Sequence, residues 1–270
     1  MLEMGQSYYL PWEKHGLIAQ YCNKVGITYI ASCFEPLAVE YSLKIGGPCI
    51  KIGSGEISNY PLLASCARSG LPILLSTGMC TLQDVAGSVE HIRQHGNSPL
   101  VLFQCVSNYP ADPSAVNLRA MRNMAEALGT LAGYSDHTLG MVAAIAAVAL
   151  GARMIEKHFT LDKKLPGPDH AMSMDPVEFT GFIKTIRAAE AALGDGVKRP
   201  HPDEAEIRML ARRSLVSSRV IEAGERLDDD NVTLKRPATG IDPRLWESVR
   251  GRTAKQSIPD DVPITWEMLE

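Results

Sequence analysis

Short apolar runs alternate with longer amphipathic ones along most of this chain, and that alternation constrains the fold more than any other feature. Residues 27–33, 48–53, 71–77, 99–105, 131–135 and 152–158 read as buried strands. Between them, 12–25, 36–45, 58–69, 82–95, 114–128 and 139–150 carry helical patterning, and a further helix fits 176–193, where Pro176 suits a first turn. Repeated strand–helix units imply a parallel sheet with right-handed crossovers. The expectation is an α/β fold of the (β/α)8-barrel type in which six strands are visible.

After Gly194 the pattern changes. "GDGVKRPHPDEAEIRML" is polar and holds two prolines, and residues 196–213 read as a linker. From 214 to 270, short β-like runs alternate with Gly and Asp turns, which implies a small second domain after a barrel domain over 1–195. Such a domain is small for an independent core and is expected to lean on a partner surface.

Composition mostly excludes. The net charge of −4 comes without a long like-charge run, so there is no electrostatic case for nucleic acid or an anionic membrane. The longest apolar run, 141–152, is too short to span a bilayer. The first ten residues lack the basic-then-apolar order of a secretory signal. Six cysteines include no CxxC pair and fit buried thiols of a reduced, cytoplasmic protein.

Polar residues gather where the strands end. Lys51, Ser54 and Glu56 lie in "KIGSGE", Ser76 and Thr77 in "STG", Gln104, Ser107, Asn108 and Tyr109 in "FQCVSNYP", and Ser135 and Asp136 before His137. His137 and His158 are 21 residues apart, with an alanine-rich helix between them. In a βαβ unit both strands point the same way, about 4.8 Å apart, so residues at both ends can share one ligand. In parallel α/β folds chemistry collects at this edge. Gly53, Gly55 and Gly78 would let backbone amides approach a phosphate. Bland readings stand beside these. Either histidine can be a hydrogen-bonded structural group, Lys51 can pair with Glu56 instead of binding phosphate, and Glu56 can simply cap the next helix.

"KIGSGEISNYPLLASCARSGLPILLSTGM", "GYSDHTLG", "GARMIEKHFTLD" and "PGPDHAMSMDP" together resemble the sialic acid synthase family, the N-acetylneuraminate synthases and their nonulosonic acid relatives. The segment from "SLVSSRVIEAGERLDDDN" onward resembles that family's C-terminal SAF (antifreeze-like) domain. The resemblance implies condensation of phosphoenolpyruvate with N-acetylmannosamine or a related N-acyl amino sugar, with release of phosphate. Legionaminic, pseudaminic and spore-coat acid synthesis are the alternatives within the family; outside it stand a non-catalytic binding remnant and, last, a metal-dependent hydrolase on a similar barrel, which usually needs further His or Asp ligands at other strand ends.

The same resemblance implies a divalent metal on His137 and His158, manganese first, with magnesium or cobalt as alternatives. It assigns phosphoenolpyruvate contacts to Lys51, Ser54, Ser76, Asn108, Tyr109 and Ser135, with further matches at Ser32 and Arg212. It places the sugar against Glu56 and Asp169. Arg236 matches an arginine that the SAF domain delivers into the other subunit, so a homodimer with exchanged domains is expected. Lys51, Glu56 and Arg236 are the candidates for catalysis.

One departure accompanies the match. The family's first two βα units, with their Glu-x-Gly-x-Asn-His and Lys-Phe-Gln segments, are not found here, so the barrel is expected to be N-terminally incomplete and the isolated chain to have low activity.

Overall fold

The structure, a computed structural model, describes residues 10–96 and 98–270. The reading of the N-terminal residues as no secretory signal falls almost wholly outside them. The chain divides into two compact units, up to Asp195 and from Gly196 onward.

The first unit begins with helices α1 (Trp12–Val25) and α2 (Pro36–Lys44). Strands and helices then alternate: β1 (Ile50–Ile52), α3 (Tyr60–Arg68), β2 (Ile73–Ser76), α4 (Leu82–His95), β3 (Leu100–Cys105), α5 (Leu118–Leu128), β4 (Leu131–Asp136), α6 (Val142–Ala149), β5 (Met154–Lys157) and α7 (Pro176–Leu193). The five strands form one parallel sheet in sequence order. This is a half-barrel of the TIM type, with helices between its strands.

The alternation of side chains across the sheet makes two layers. Ile50, Ile52, Ile73, Leu75, Leu100 and Leu102 pack outward against α3 and α4. Cys49, Leu74, Val101 and Phe103 form a separate inner cluster. Gly133 belongs to this inner face, because a Cβ there would stand 2.9 Å from the Phe103 ring.

Among the described residues this sheet has five strands where six were expected. Residues 27–33 make only an isolated parallel bridge, Ser32 to Lys51. The Cys33 amide donates to the Lys51 carbonyl at 2.9 Å. Ile27 and Ile30 stay exposed, so little burial supports a longer ladder there.

Helix ends follow their sequence signals. Asp175 caps α7 with a capping box to Glu178, and Thr81 does the same for α4 with Asp84. Among the described residues no helix is long and apolar enough to cross a membrane.

All six cysteines are free thiols. Burial pushes the Cys33 thiol up to about 11, and burial with the neighbouring Cys33 pushes Cys66 up to about 12. Both are protonated when folded above pH 9, where an unfolded thiol ionises. Their stabilising effect is therefore full below the unfolded value and lost as pH rises through the folded ones. Stability is expected to fall by about 1.4 kcal/mol per pH unit per thiol over that range. Urea midpoints at rising alkaline pH, compared with those of Cys66→Ala, test this; equal slopes for the two proteins would refute it.

In the second unit the segment read as a linker carries a short helix, α8 (Ala205–Ala211). Beyond it, β6 (Ser214–Ser217) pairs antiparallel with β7 (Val232–Lys235). Leu215, Ile221, Leu227, Ile241, Val249 and Ile264 are among the residues of its own apolar core.

Candidate active site

The inner face turns polar toward the C-terminal ends of the strands. Lys51 ends the inner row of β1 and is buried. Its Nζ donates to Ser76 Oγ on β2 at 2.8 Å and to the Ile52 carbonyl at 3.2 Å, and lies 5.6 Å from the Phe103 ring centroid. On β4 and β5, Ser135 stands in register with Glu156. The Ser135 hydroxyl donates to Glu156 Oε1 at 2.6 Å, and Glu156 Oε2 is 3.5 Å from Lys51 Nζ. Of the two readings of Lys51, the bland one named Glu56 as its partner; the carboxylate that faces it is Glu156.

Glu56 sits in the turn after β1 and accepts from Asn59 Nδ2 at 2.7 Å. Asn59 itself caps α3, so Glu56 steadies the cap rather than forming it.

Ser54 completes the same neighbourhood. Its Oγ accepts from the Gly78 amide at 2.9 Å. A Cβ on Gly78 would lie 2.3 Å from Ser107 Oγ and 2.9 Å from Ser54 Oγ. Only glycine lets that loop close over the hydroxyls. Lys51, Ser54, Ser76, Ser135 and the Gly78 amide thus offer a cation and several hydrogen-bonding groups in one small region, the chemistry that holds a phosphate.

The two histidines meet as the crossover geometry anticipates. Their ring centroids are 5.2 Å apart, and the Tyr109 ring lies 4.1 Å from His137 and 5.5 Å from His158. His137 is buried, and its Nδ1 faces the Val106 carbonyl at 2.7 Å. That bond favours a proton on Nδ1 and a free lone pair on Nε2. His158 Nδ1 is 3.8 Å from the Asp169 carboxylate. Burial, and then neighbouring His137, hold His158 below the usual imidazole range. At His137 burial is the largest influence and pulls down, but the Cys105 thiol, the Val106 carbonyl and nearby negative groups outweigh it and raise the value.

The free Nε2 lone pair of His137, and a His158 that burial holds toward its neutral form, would suit a divalent cation whose remaining positions water or substrate would fill. Among the described residues no group of three or more His, Cys, Asp or Glu side chains converges. Among the described residues, His137 and His158 are the pair that would hold a metal, through two ring nitrogens.

Other strand-end residues have structural work. Gln104 donates to the Val116 carbonyl at 2.9 Å, and Thr77 to the Phe103 carbonyl at 2.8 Å. His170 bonds Thr160 at 2.8 Å. Asp136 is fully buried; Lys157 Nζ reaches its Oδ2 at 2.9 Å, while Tyr134 and Thr138 bond its Oδ1. Asn108 is exposed on the loop after β3. Ser32 is exposed beside a largely apolar cavity between α1 and α2, which holds no comparable polar set. Arg212 follows α8 and Arg236 follows β7, both exposed in the second unit.

Sequence reasoning missed two site residues. Glu156 was legible as the inward partner of His158, two residues away on one strand. Cys105 was read only as a buried thiol, but its Sγ is 3.7 Å from His137 Nδ1. Burial alone would raise its pKa; hydrogen bonds from His137, Ser54 and Ser135 and the imidazole charge bring it below the usual thiol range.

A parallel half-barrel with its polar groups gathered at the strand C-termini defines a TIM-barrel-type enzyme scaffold with a small-molecule site. Residues 1–198 match the profile of the NeuB family and residues 212–270 that of the SAF domain. The chain is 40% identical over 272 residues to the N,N'-diacetyllegionaminic acid synthase of Legionella pneumophila, covering 99% of this chain and 76% of that protein. Among solved structures, a spore coat polysaccharide biosynthesis protein E from Chromobacterium violaceum matches with a TM-score of 0.80 at 28% identity, covering 100% of this chain and 82% of that one. The N-acetylneuraminic acid synthetase of Leptospira borgpetersenii, solved with citrate, matches at 0.71 and 30% identity, over 76% of this chain and 72% of that one. The chain belongs to the NeuB family and carries a C-terminal SAF domain. Its relatives include an N,N'-diacetyllegionaminic acid synthase, a pseudaminic acid synthase and an N-acetylneuraminate-9-phosphate synthase.

Proposed function

We propose that this protein condenses phosphoenolpyruvate with an N-acylated amino sugar and releases phosphate, assisted by a divalent metal on His137 and His158. The observation that carries the reading is the convergence of a cationic, hydroxyl-rich region at Lys51 and Ser76 with an imidazole pair on the neighbouring strand ends of one sheet. When bound, the metal would polarise the sugar's aldehyde.

The chain's own residues do the rest. Lys51, Ser54, Ser76 and the Gly78 amide hold the phosphate group and offset its charge. Ser135 sits between that region and the histidines. The Val106 carbonyl orients His137, and the Asp169 carboxylate lies near His158. The methylene carbon of the enol phosphate attacks the aldehyde carbon, water adds to the phosphate-bearing carbon, and the carbon–oxygen bond to phosphate then breaks. Glu56 is the candidate for positioning a sugar hydroxyl. Tyr109 and Asn108 are exposed on the loop after β3, and Asp169 is a candidate to meet the sugar.

The acceptor favoured is one bearing two N-acetyl groups, because the N,N'-diacetyllegionaminic acid synthase shares 40% identity over nearly the whole chain. N-acetylmannosamine is the second choice. Manganese, a cytoplasmic setting and a homodimer whose exchanged SAF domain supplies Arg236 complete the proposal. These rest on the family resemblance.

A panel of mono- and di-N-acetylated sugars tests it by phosphate release. Release should need phosphoenolpyruvate, the sugar and a divalent metal together, and chelation should abolish it. Calorimetric binding of phosphoenolpyruvate without release from any sugar would replace this reading with a non-catalytic one.

A further inference from the structure

We propose that Glu156 is the resident counter-anion of the phosphate site, a carboxylate that incoming phosphate must displace. This rests on the reading of the Lys51 region as a phosphate site and goes further, because it gives that site a built-in competitor. One carboxylate engages two of the groups assigned to phosphoenolpyruvate. Its Oε1 accepts from Ser135 at 2.6 Å, and its Oε2 lies 3.5 Å from Lys51 Nζ.

The two partners differ in freedom to move. The Lys51 side chain is only 9% exposed, whereas that of Glu156 is 42% exposed. Lys51 is fixed by Ser76, the Ile52 carbonyl and the Phe103 ring, all of them neutral. A buried ammonium among neutral partners is costly, so an anion within reach stabilises the empty site. Glu156 supplies that charge and, being half exposed at the end of β5, can leave toward water.

Phosphate brings more negative charge and more acceptor oxygens than one carboxylate, so it takes the shared donors. A singly charged anion gains no such advantage. Glu156 therefore sets a threshold that dianions pass and monoanions do not, which makes it a specificity-determining and positioning residue.

Titration of inorganic phosphate into the full chain tests this by calorimetry. Glu156→Gln keeps the shape and the bond from Ser135 but removes the charge. It is expected to bind phosphate roughly fivefold tighter than the wild type, the factor that loss of a half-exposed ion pair allows. Damage to the fold does not tighten binding, so an increase reports charge competition. Phosphate should likewise raise the unfolding temperature of the Gln variant more than that of the wild type. Equal or weaker binding by a folded Gln variant overturns the proposal and leaves the phosphate site standing. Binding by neither protein overturns both. Should the Gln variant not fold, Glu156→Asp, which shortens the reach by one methylene, is expected to tighten binding also; failure of both to fold would assign Glu156 to the fold and overturn the proposal.

Discussion

Lys51→Ala is expected to weaken phosphoenolpyruvate binding about 10- to 100-fold, the worth of hydrogen bonds to a charged group. Turnover should fall further, by about 10²–10³, because charge on the departing phosphate loses its buried cation. The substitution removes the ammonium that donates to Ser76 and leaves Glu156 half exposed, so the cost to stability should be small. Calorimetry, a phosphate-release assay and a urea midpoint separate these effects. Lys51→Arg should not rescue, because a planar fork with fixed geometry does not replace a compact ammonium in this buried position. Phosphoenolpyruvate affinity unchanged in a folded Lys51→Ala protein would place the phosphate elsewhere.

Asp136→Ala should be the most destabilising single change at this edge of the sheet, at about 3–5 kcal/mol. The Asp136 and Lys157 side chains are 0% and 2% exposed, and they form an ion pair at 2.9 Å. Asp136 also accepts from Tyr134, from the Thr138 amide and from the Thr138 hydroxyl. Removing the carboxylate strands a buried ammonium and frees the loop that carries His137. Pairing it with Lys157→Met removes the stranded charge, so the double variant should recover part of the loss. A denaturant double-mutant cycle measures that coupling; a double variant no more stable than Asp136→Ala alone would show that the charge pair is not the source.

Both predictions depend on a distinction that period-two alternation carries and residue type does not. Lys51 and Lys157 are each lysines within an apolar strand. One faces inward toward Ser76 and Phe103, and the other outward toward Asp136 beneath the helices. The strand–helix order, and nearly all helix positions, were legible because amphipathic period and capping residues are local. The extra strand over 27–33 was misjudged because apolar character does not reveal whether a neighbour continues the ladder. The helix at Ala205–Ala211 was hidden inside a polar, proline-bearing stretch.

The site was legible in part for the same reason. Adjacent parallel strands bring their ends together, so His137 and His158 follow from the spacing of one crossover. Glu156 was passed over because its role depends on register: it opposes Ser135 and so reaches Lys51 across the sheet.

By itself the sequence determined the βα order, the edge of the sheet where polar groups collect and the family resemblance, since each is written in local pattern. Only the tertiary structure decided which anion faces Lys51, which polar side chains are tied to backbone carbonyls, and which buried pair supports the His137 loop. Those outcomes depend on strand register and on the direction in which each side chain leaves the sheet, and distances of a few ångströms between residues far apart in the chain are set only when the sheet assembles.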